Sequence, residues 1–248
     1  MIEYKKMRKA YLLAYLLLVS QFVIAQNYAM PLITSKDIIL SHKGFVINYD
    51  KSTKNARWVA YTLIGDKLQT KIKRKNNFIS DPLYPQSASN NDFVKSGFDK
   101  GHLFPAGSAC DSTVMRESFY FTNICPQIPS FNRGVWNKIE QKVRVWAAEY
   151  DTLYVITGCV VDSLSTKIGN QVAVPSYFYK LILVYTSKVK KAIVFYLKNE
   201  KADTNNISDY VMSVKQLENL LKVDFCVSIS DSIENKIESN VDKQKWKW

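Results

Sequence analysis

One helical pattern stands among strand-like segments, and this arrangement constrains the fold more than any other feature of the chain. The pattern covers residues 134–149 and places apolar side chains three and four residues apart, at Val135, Ile139, Val143 and Trp146. Segments rich in aromatic and β-branched residues lie both before and after it. We therefore predict an α+β domain with a sheet core and one prominent helix, rather than a βαβ nucleotide-binding fold.

The other predicted elements are short. The predicted strands are 45–49, 56–63, 119–124, 153–157, 178–184 and 192–197, and a second helix is predicted over 214–221. Residues 65–97 are polar and contain Asp81-Pro82 and Tyr84-Pro85, which interrupt regular structure. The sequence has no Gly-rich phosphate-binding loop, internal repeat or linker, so a single domain over residues 26–248, with its core at about 40–240, is expected.

Residues 1–25 have the pattern of a secretion signal. Basic residues come first, an apolar run covers 10–19, and Val23-Ile24-Ala25 offers a cleavage site. We expect cleavage after Ala25, a secreted or periplasmic protein, and no stable membrane association afterwards. An uncleaved anchor is the alternative, although the apolar run is short for a membrane span.

Positive charge is concentrated in the middle of the chain. The whole sequence has a formal net charge of +12, and residues 26–199 carry 23 basic and 12 acidic side chains. A field of this sign favours a polyanion partner, because neutralised phosphates release condensed counterions. General solubility is the alternative explanation.

Four cysteines follow the signal segment: Cys110, Cys125, Cys159 and Cys226. An oxidising compartment would permit one or two disulfides among them, with connectivity left open. They contain no Cys-x-x-Cys motif, which argues against a zinc site. Cys125 lies in an apolar run and also fits a buried free thiol.

The chain has two histidines, and one of them follows a distinctive run, Asp99-Lys100-Gly101-His102. A neutral histidine can take a proton from water at physiological pH, so His102 is a candidate general base. A structural role is the alternative. His42 has no acidic or nucleophilic neighbour in sequence, and we interpret it as structural.

A second group of candidate residues lies thirty residues downstream. Asn132, Trp136, Glu140 and Arg144 are four residues apart and would project along one side of a helix. An amide oxygen is a hard ligand suited to magnesium, a carboxylate can orient metal-bound water, and a guanidinium can neutralise phosphate. The alternatives are a helix-capping Asn132, an ordinary Glu140–Arg144 ion pair and a Trp136 used only for packing.

Taken together, these segments resemble the DNA/RNA non-specific endonuclease family, the ββα-metal nucleases. The main matching motifs are Asp99-Lys100-Gly101-His102-Leu103-x-Pro105-Ala106, Phe119-Tyr120-x-Thr122-Asn123-Ile124-x-Pro126-Gln127 and Phe131-Asn132-x-Gly134-x-Trp136-x-x-x-Glu140 with Arg144. Further matches are Trp58-Val59-Ala60-Tyr61, Val174-Pro175-x-x-Phe178-Tyr179-Lys180 and the closing pattern from Val214 to Phe225.

The resemblance implies a ββα-metal fold, with a central, mostly antiparallel sheet and a catalytic helix packed beside it. It also implies sequence-non-specific hydrolysis of DNA and RNA to 5′-phosphate products with Mg²⁺, or another divalent cation such as Mn²⁺. His102 would be the general base and Asn132 the single direct metal ligand. Glu140 would act on the metal through water, and Asn123 would support the water shell.

The resemblance also assigns roles to charged residues around these groups. Arg144 would stabilise phosphate charge, and Asp99 would hold the histidine loop. The family commonly has Arg where this chain has Lys100, so charge is kept but the planar two-point grip is lost. Arg74 only loosely matches another substrate-binding arginine. The oligomeric state stays open.

Two other functions are compatible with the sequence. One is a secreted basic protein that binds nucleic acid without turnover, and the other is a phosphodiesterase acting on smaller nucleotides. Metal-independent binding without cleavage would favour the first. The basic middle segment favours a long polymer over the substrates of the second, and a steep loss of binding with added salt would agree with that.

Overall fold

A computed structural model describes residues 27–69 and 72–248 of the chain. The predicted signal segment, residues 1–25, lies outside the described residues. Within the described ranges, no helix is both long enough and apolar enough to cross a bilayer.

The chain forms eleven strands and five α-helices in the described ranges. The strands are β1 (Ile38–Ser41), β2 (Val46–Asp50), β3 (Asn55–Ile64), β4 (Asp99–His102), β5 (Ile124–Gln127), β6 (Thr152–Val160), β7 (Lys167–Ile168), β8 (Val172–Ala173), β9 (Tyr177–Tyr185), β10 (Lys190–Lys198) and β11 (Val211–Met212). The helices are α1 (Asn90–Phe93), α2 (Ser112–Glu117), α3 (Asn137–Tyr150), α4 (Val214–Leu221) and α5 (Asp231–Glu238).

Seven strands form one antiparallel sheet in the order β1-β2-β3-β6-β9-β10-β11. The strand β9 shows how the sheet is covered on both faces. Phe178 and Ile182 point to the same side as the apolar stripe of α3, whereas Leu181 and Leu183 pack with α4 and α5 on the other side. The predicted α+β fold with a large antiparallel sheet is confirmed.

The helix α3 covers one face of the sheet with the stripe that the sequence predicts. Val135, Ile139, Val143 and Trp146 are all at most 2% exposed. Their burial removes apolar surface from water along the whole helix, which is the main stabilising contribution of such an element. The observed helix begins at Asn137, not at residue 134, because residues 131–136 form a wider turn with a non-helical backbone at Gly134.

A small hairpin beside α3 completes a ββα unit. Strands β4 and β5 pair antiparallel, with His102 opposite Ile124 and Gly101 opposite Cys125. Gly101 is required by close packing, because a β-carbon there would lie 2.2 Å from the side chain of Gln127. The pairing with β5 therefore fixes the backbone that carries His102.

The predicted strand over residues 119–124 is wrong for most of its length. Residues 121–123 form a short 3-10 turn, and β5 begins only at Ile124. The side chains explain the difference, because Thr122 and Asn123 are both fully buried and bond to other parts of the chain instead of alternating between core and solvent.

Candidate active site

His102 ends strand β4 and is buried among aromatic rings. Its ring lies edge-on to Phe119 at 4.9 Å and tilted to Phe78 at 5.5 Å between centroids. The Nε2 atom is buried without a hydrogen-bond partner among the described residues. Burial, with the positive charge of Arg74 nearby, lowers the pKa of His102 to about 3. The imidazole is therefore neutral at physiological pH.

Asn123 fixes the chain that follows His102. Its Oδ1 accepts from the Phe104 N–H at 2.8 Å, and its Nδ2 donates to the carbonyls of Phe104 at 3.0 Å and Ser118 at 2.8 Å. All of these partners are backbone groups, and Asn123 is fully buried. Asn123 therefore positions the chain that follows His102, and its support of a metal's water shell stays a prediction.

His42 has an acidic partner that the local sequence does not reveal. Its Nε2 lies 3.0 Å from Asp81 Oδ2, which also accepts from the Thr122 hydroxyl at 2.5 Å. Burial opposes ionisation of Asp81, but the bonds from His42 and Thr122 hold its pKa below the ordinary value. This buried network anchors residues 121–123 and agrees with a structural role for His42, whose acidic partner is 39 positions away in sequence.

Asp99, at the other end of β4, reaches the turn that carries Asn132. Its Oδ2 accepts from Asn132 Nδ2 at 2.9 Å and from Arg133 Nε at 2.8 Å, and its Oδ1 accepts from Arg133 Nη2 at 2.5 Å. Because the two ends of an amide point in different directions, this contact turns Asn132 Oδ1 away from the carboxylate. Asn132 is therefore held by Asp99 and does not cap α3, which Trp136 directly precedes.

Glu140 lies on α3 amid three cations. Burial raises the pKa of Glu140, and the charges of Lys180, Arg144 and Arg74 oppose that rise. Among the ion pairs of the described residues, none within 4.0 Å joins Glu140 to Arg144, which argues against the ordinary helical pair. The Arg144 guanidinium instead packs over Gly107, where a β-carbon would be 3.4 Å from Nη1.

Lys180 is a buried cation whose role is not evident from the sequence. It is fully buried, and its Nζ donates to the hydroxyls of Thr157 at 2.5 Å and Tyr61 at 3.1 Å. The same nitrogen lies 4.8 Å from the Trp136 ring, which is a cation–π contact. Burial lowers the pKa of Lys180, and the negative charge of Glu140 works against that change. Trp136 is thus a packing residue that also faces this cation.

Two further predicted residues flank His102 through its aromatic neighbours. Lys100 Nζ lies 4.8 Å from the Phe78 ring and donates to Asn90 Oδ1. The Arg74 guanidinium lies 5.5 Å from the Phe119 ring. Both rings contact His102, so the two cations lie one side chain away from it.

The donor set fits a metal ion held mainly through water. In the part of the chain that the structure describes, no group of three or more His, Cys, Asp or Glu side chains is placed to hold a metal. Asn132 instead presents one oriented amide oxygen, and Glu140 supplies a carboxylate on the adjoining helix. Hard oxygen donors with most positions left to water suit Mg²⁺.

Comparisons with known proteins agree with this geometry. Residues 25–232 match the family described as DNA/RNA non-specific endonuclease. A mitochondrial nuclease EXOG from Danio rerio is 34% identical over 157 residues, which are 57% of this chain and 46% of that protein. A nuclease from a Nostoc species is 27% identical over 223 residues, covering 85% of this chain and 81% of the relative. The crystal structure of an EndoG/EndoGI complex matches with a TM-score of 0.74 and 25% identity, over 85% of this chain and 92% of the other.

The matched region includes the hairpin of His102, the turn of Asn132 and the whole of α3. The chain spans about half the length of the EXOG relatives and most of the Nostoc nuclease. With motif order, fold and site all in agreement, the chain belongs to the DNA/RNA non-specific endonuclease family.

Proposed function

We propose that this protein is a metal-dependent endonuclease that hydrolyses DNA and RNA without sequence preference and leaves the phosphate on the 5′ side. The observation that carries the proposal is the contact between Asp99 and Asn132 at 2.9 Å. It joins the strand that ends in His102 to the turn that presents the metal-binding amide. Base and metal ligand are thereby held in one unit.

His102 is the proposed general base. Its buried Nε2 has no partner among the described residues, and the low pKa of the imidazole keeps it neutral and able to accept a proton. Such a group takes the proton of the attacking water in the transition state. Asn123 fixes the backbone at Phe104, two residues after the histidine, and the Phe119 ring packs edge-on against the imidazole.

Asn132 would hold Mg²⁺ directly through Oδ1, and Glu140 would hold it through water; Mn²⁺ could take the same place. When bound, the ion supplies positive charge to the phosphate oxygens and the leaving group. Asp99 orients the amide, and Arg133 braces Asp99 from the exposed side. The positive charge of Lys180 favours the ionised form of Glu140, which is the form that orients water.

Positive groups around the hairpin would bind the sugar-phosphate backbone. Arg144 packs over Gly107, Lys100 lies over the Phe78 ring, and Arg74 lies over the Phe119 ring. Contacts of this kind recognise phosphate, which carries no direct base information. A lack of sequence preference follows, and so does action on both DNA and RNA.

The test is digestion of supercoiled plasmid and of long RNA with Mg²⁺, with Mn²⁺ and with chelator. We expect metal-dependent cleavage whose products a ligase joins without added kinase, because their 5′ ends carry phosphate. His102→Ala should lower the rate by about 10²- to 10⁴-fold. His42→Gln is the matched control, because glutamine can still donate to Asp81.

Each alternative predicts a different outcome. Tight binding of intact polymers, unaffected by chelator, would indicate a nucleic-acid-binding protein without turnover. Cleavage of dinucleotide esters with no activity on polymers would indicate a small-substrate phosphodiesterase. Wild-type cleavage by His102→Ala would contradict the assigned base.

Secretion or release to the periplasm is part of the same proposal and rests on residues 1–25 alone. We expect the exported protein to begin near residue 26. N-terminal sequencing of protein recovered from the medium or the periplasm tests this, and a chain beginning at Met1 would contradict cleavage.

A further inference from the structure

Two buried thiols from different sheets meet behind the active site. Cys125 lies on β5 of the small hairpin, and Cys159 lies on β6 of the large sheet. Their Sγ atoms are 3.7 Å apart, and the two residues are 0% and 9% exposed. Neither side chain has a function in the proposed reaction.

The contact selects one pairing among the three that four cysteines allow. Cys110 is half-buried and lines a separate cavity with His42 and Asp111. Cys226 is buried with the α4 and α5 side chains, on the opposite face of the sheet from Cys125 and Cys159. A bond from Cys226 to either member of the pair would have to cross the sheet.

We propose that Cys125 and Cys159 form a disulfide in an oxidising environment. A disulfide has an S–S distance of about 2.05 Å, so the two sulfur atoms must approach by about 1.7 Å, which they can share through small side-chain rotations. The Cys159 thiol would give up only a weak contact at 3.3 Å to the Ala56 carbonyl. Oxidation also removes two buried S–H groups and places two sulfur atoms in apolar surroundings.

The bond forms by thiol–disulfide exchange with a disulfide oxidant such as oxidised glutathione. The two cysteine thiols lose two protons and two electrons, the new S–S bond forms, and the S–S bond of the oxidant breaks to give two thiols. The contact with the Cys125 sulfur, together with burial, raises the pKa of Cys159, which disfavours the reactive thiolate once the protein has folded. The exchange therefore takes place during folding, and the folded reduced protein is protected from it.

The position of the bond has a consequence for the site. The two cysteines are 34 residues apart in sequence, and the segment between them contains Asn132, Glu140 and Arg144. Cys125 also pairs with Gly101, next to His102. The disulfide thus joins the two ends of the segment that contains Asn132, Glu140 and Arg144. It also links β5, which pairs with the strand of His102, to β6 of the large sheet. Closing a loop of this length should raise the thermal midpoint of unfolding by about 5 to 15 °C.

The experiment compares the full protein refolded with oxidised and reduced glutathione against the same protein refolded in a reductant. Each sample is quenched in acid, denatured and alkylated, and its mass is measured before and after reduction. We expect two alkylated cysteines in the oxidised sample, Cys110 and Cys226, and a proteolytic peptide pair joined through Cys125 and Cys159. The reduced sample should carry four alkyl groups and unfold at the lower temperature.

Cysteine variants distinguish the effect of the disulfide on the unfolding midpoint from a general effect of the reductant. In Cys125→Ala with Cys159→Ala, reductant should no longer change the unfolding midpoint, whereas Cys226→Ala, a buried single thiol, should keep the full response. Four alkylated cysteines after oxidative refolding would overturn the proposal, and so would a bond that includes Cys110 or Cys226. Because the measurement counts thiols, its result is independent of nuclease activity.

Discussion

The contact between Asp99 and Asn132 makes a quantitative prediction. Replacing Asp99 with alanine removes the acceptor that holds the Asn132 amide at 2.9 Å. A hydrogen bond to a charged group contributes about 1.5 to 3 kcal/mol. If the bond serves to orient the amide oxygen, its loss should lower the rate by about 10- to 100-fold, since about 1.4 kcal/mol corresponds to tenfold.

Two matched variants separate orientation from surface charge. Asp99→Asn keeps an oxygen that can accept from Asn132, so its loss should be smaller, about 3- to 10-fold. Arg133→Ala removes the salt bridge to Asp99, but the Arg133 side chain is 73% exposed. Exposed ion pairs contribute little, so this variant should stay within about 5-fold of wild type.

The assay is the initial rate of cleavage of a fluorophore-quencher oligonucleotide, measured over a range of Mg²⁺ concentrations. Asp99→Ala should need more Mg²⁺ for half-maximal rate as well as having a lower maximum, because the amide oxygen is no longer held. Circular dichroism serves as the control that the variants are folded. A wild-type rate and metal requirement in Asp99→Ala would refute the reasoning.

Three further predictions concern charge. Arg74→Met removes a positive charge that lowers the pKa values of both His102 and Glu140, so the acidic limb of the pH–rate profile should move to higher pH; an unmoved limb would contradict the placement of Arg74. Lys180→Met should raise the pKa of Glu140 further and lower the rate at pH 7 by about tenfold, with recovery at higher pH. In a protein that already carries Glu140→Gln, Lys180→Met should leave the pH–rate profile unchanged. Glu238→Gln should raise the thermal midpoint by about 2 to 6 °C at pH 9 and change it little at pH 4.

The sign of the Glu238 effect follows from its surroundings. Burial, together with Glu218 and Glu234, raises the pKa of Glu238 to about 8. The folded protein thus keeps a proton that the unfolded chain releases near pH 4.5. This group contributes stability that is present below pH 4.5 and is lost as the pH rises through about 8. Glutamine cannot ionise, so it avoids that loss. Glu200→Gln, at an exposed ion pair, is the control, and equal midpoints for Glu238→Gln and wild type at pH 9 would contradict the burial argument.

The sequence predicts best those helices and strands in which the spacing of apolar residues matches the face that is buried. The stripe of Val135, Ile139, Val143 and Trp146 has a helical period and is buried along its length, so α3 could be located from the sequence. The same holds for β9, an apolar run that forms an interior strand of the sheet and is covered on both faces. Helix α4 begins and ends where it is predicted, at 214 and 221, and it carries a capping box at Ser213.

The contacts that assemble the site could not be predicted from short stretches of sequence, because they join distant parts of the chain. Asp99 contacts residues 33 and 34 positions away, and His42 contacts Asp81 across 39 positions. Lys180 is different, since a signal was present. The alternation of β9 places it on the same side as Phe178 and Ile182, where a charged residue must have a polar partner.

The predicted strand over 119–124 is a case in which a local pattern is present but the structure does not follow it. Its aromatic residues have the composition of a strand, but Thr122 bonds to Asp81 and Asn123 bonds to the chain around Phe104. Both partners are absent from the local window. Tertiary hydrogen bonds therefore decide the conformation of this segment against its local propensity.

The most direct test of the central claim is imidazole rescue of a variant that lacks the proposed base. His102→Gly leaves a cavity between Phe78 and Phe119 where an imidazole molecule can take the place of the side chain. With Mg²⁺ present, we predict almost no cleavage by this variant alone, and a rate that rises with the concentration of neutral imidazole. Asn132→Ala should not respond to imidazole. Cleavage by His102→Gly at the wild-type rate, without imidazole, would contradict the account.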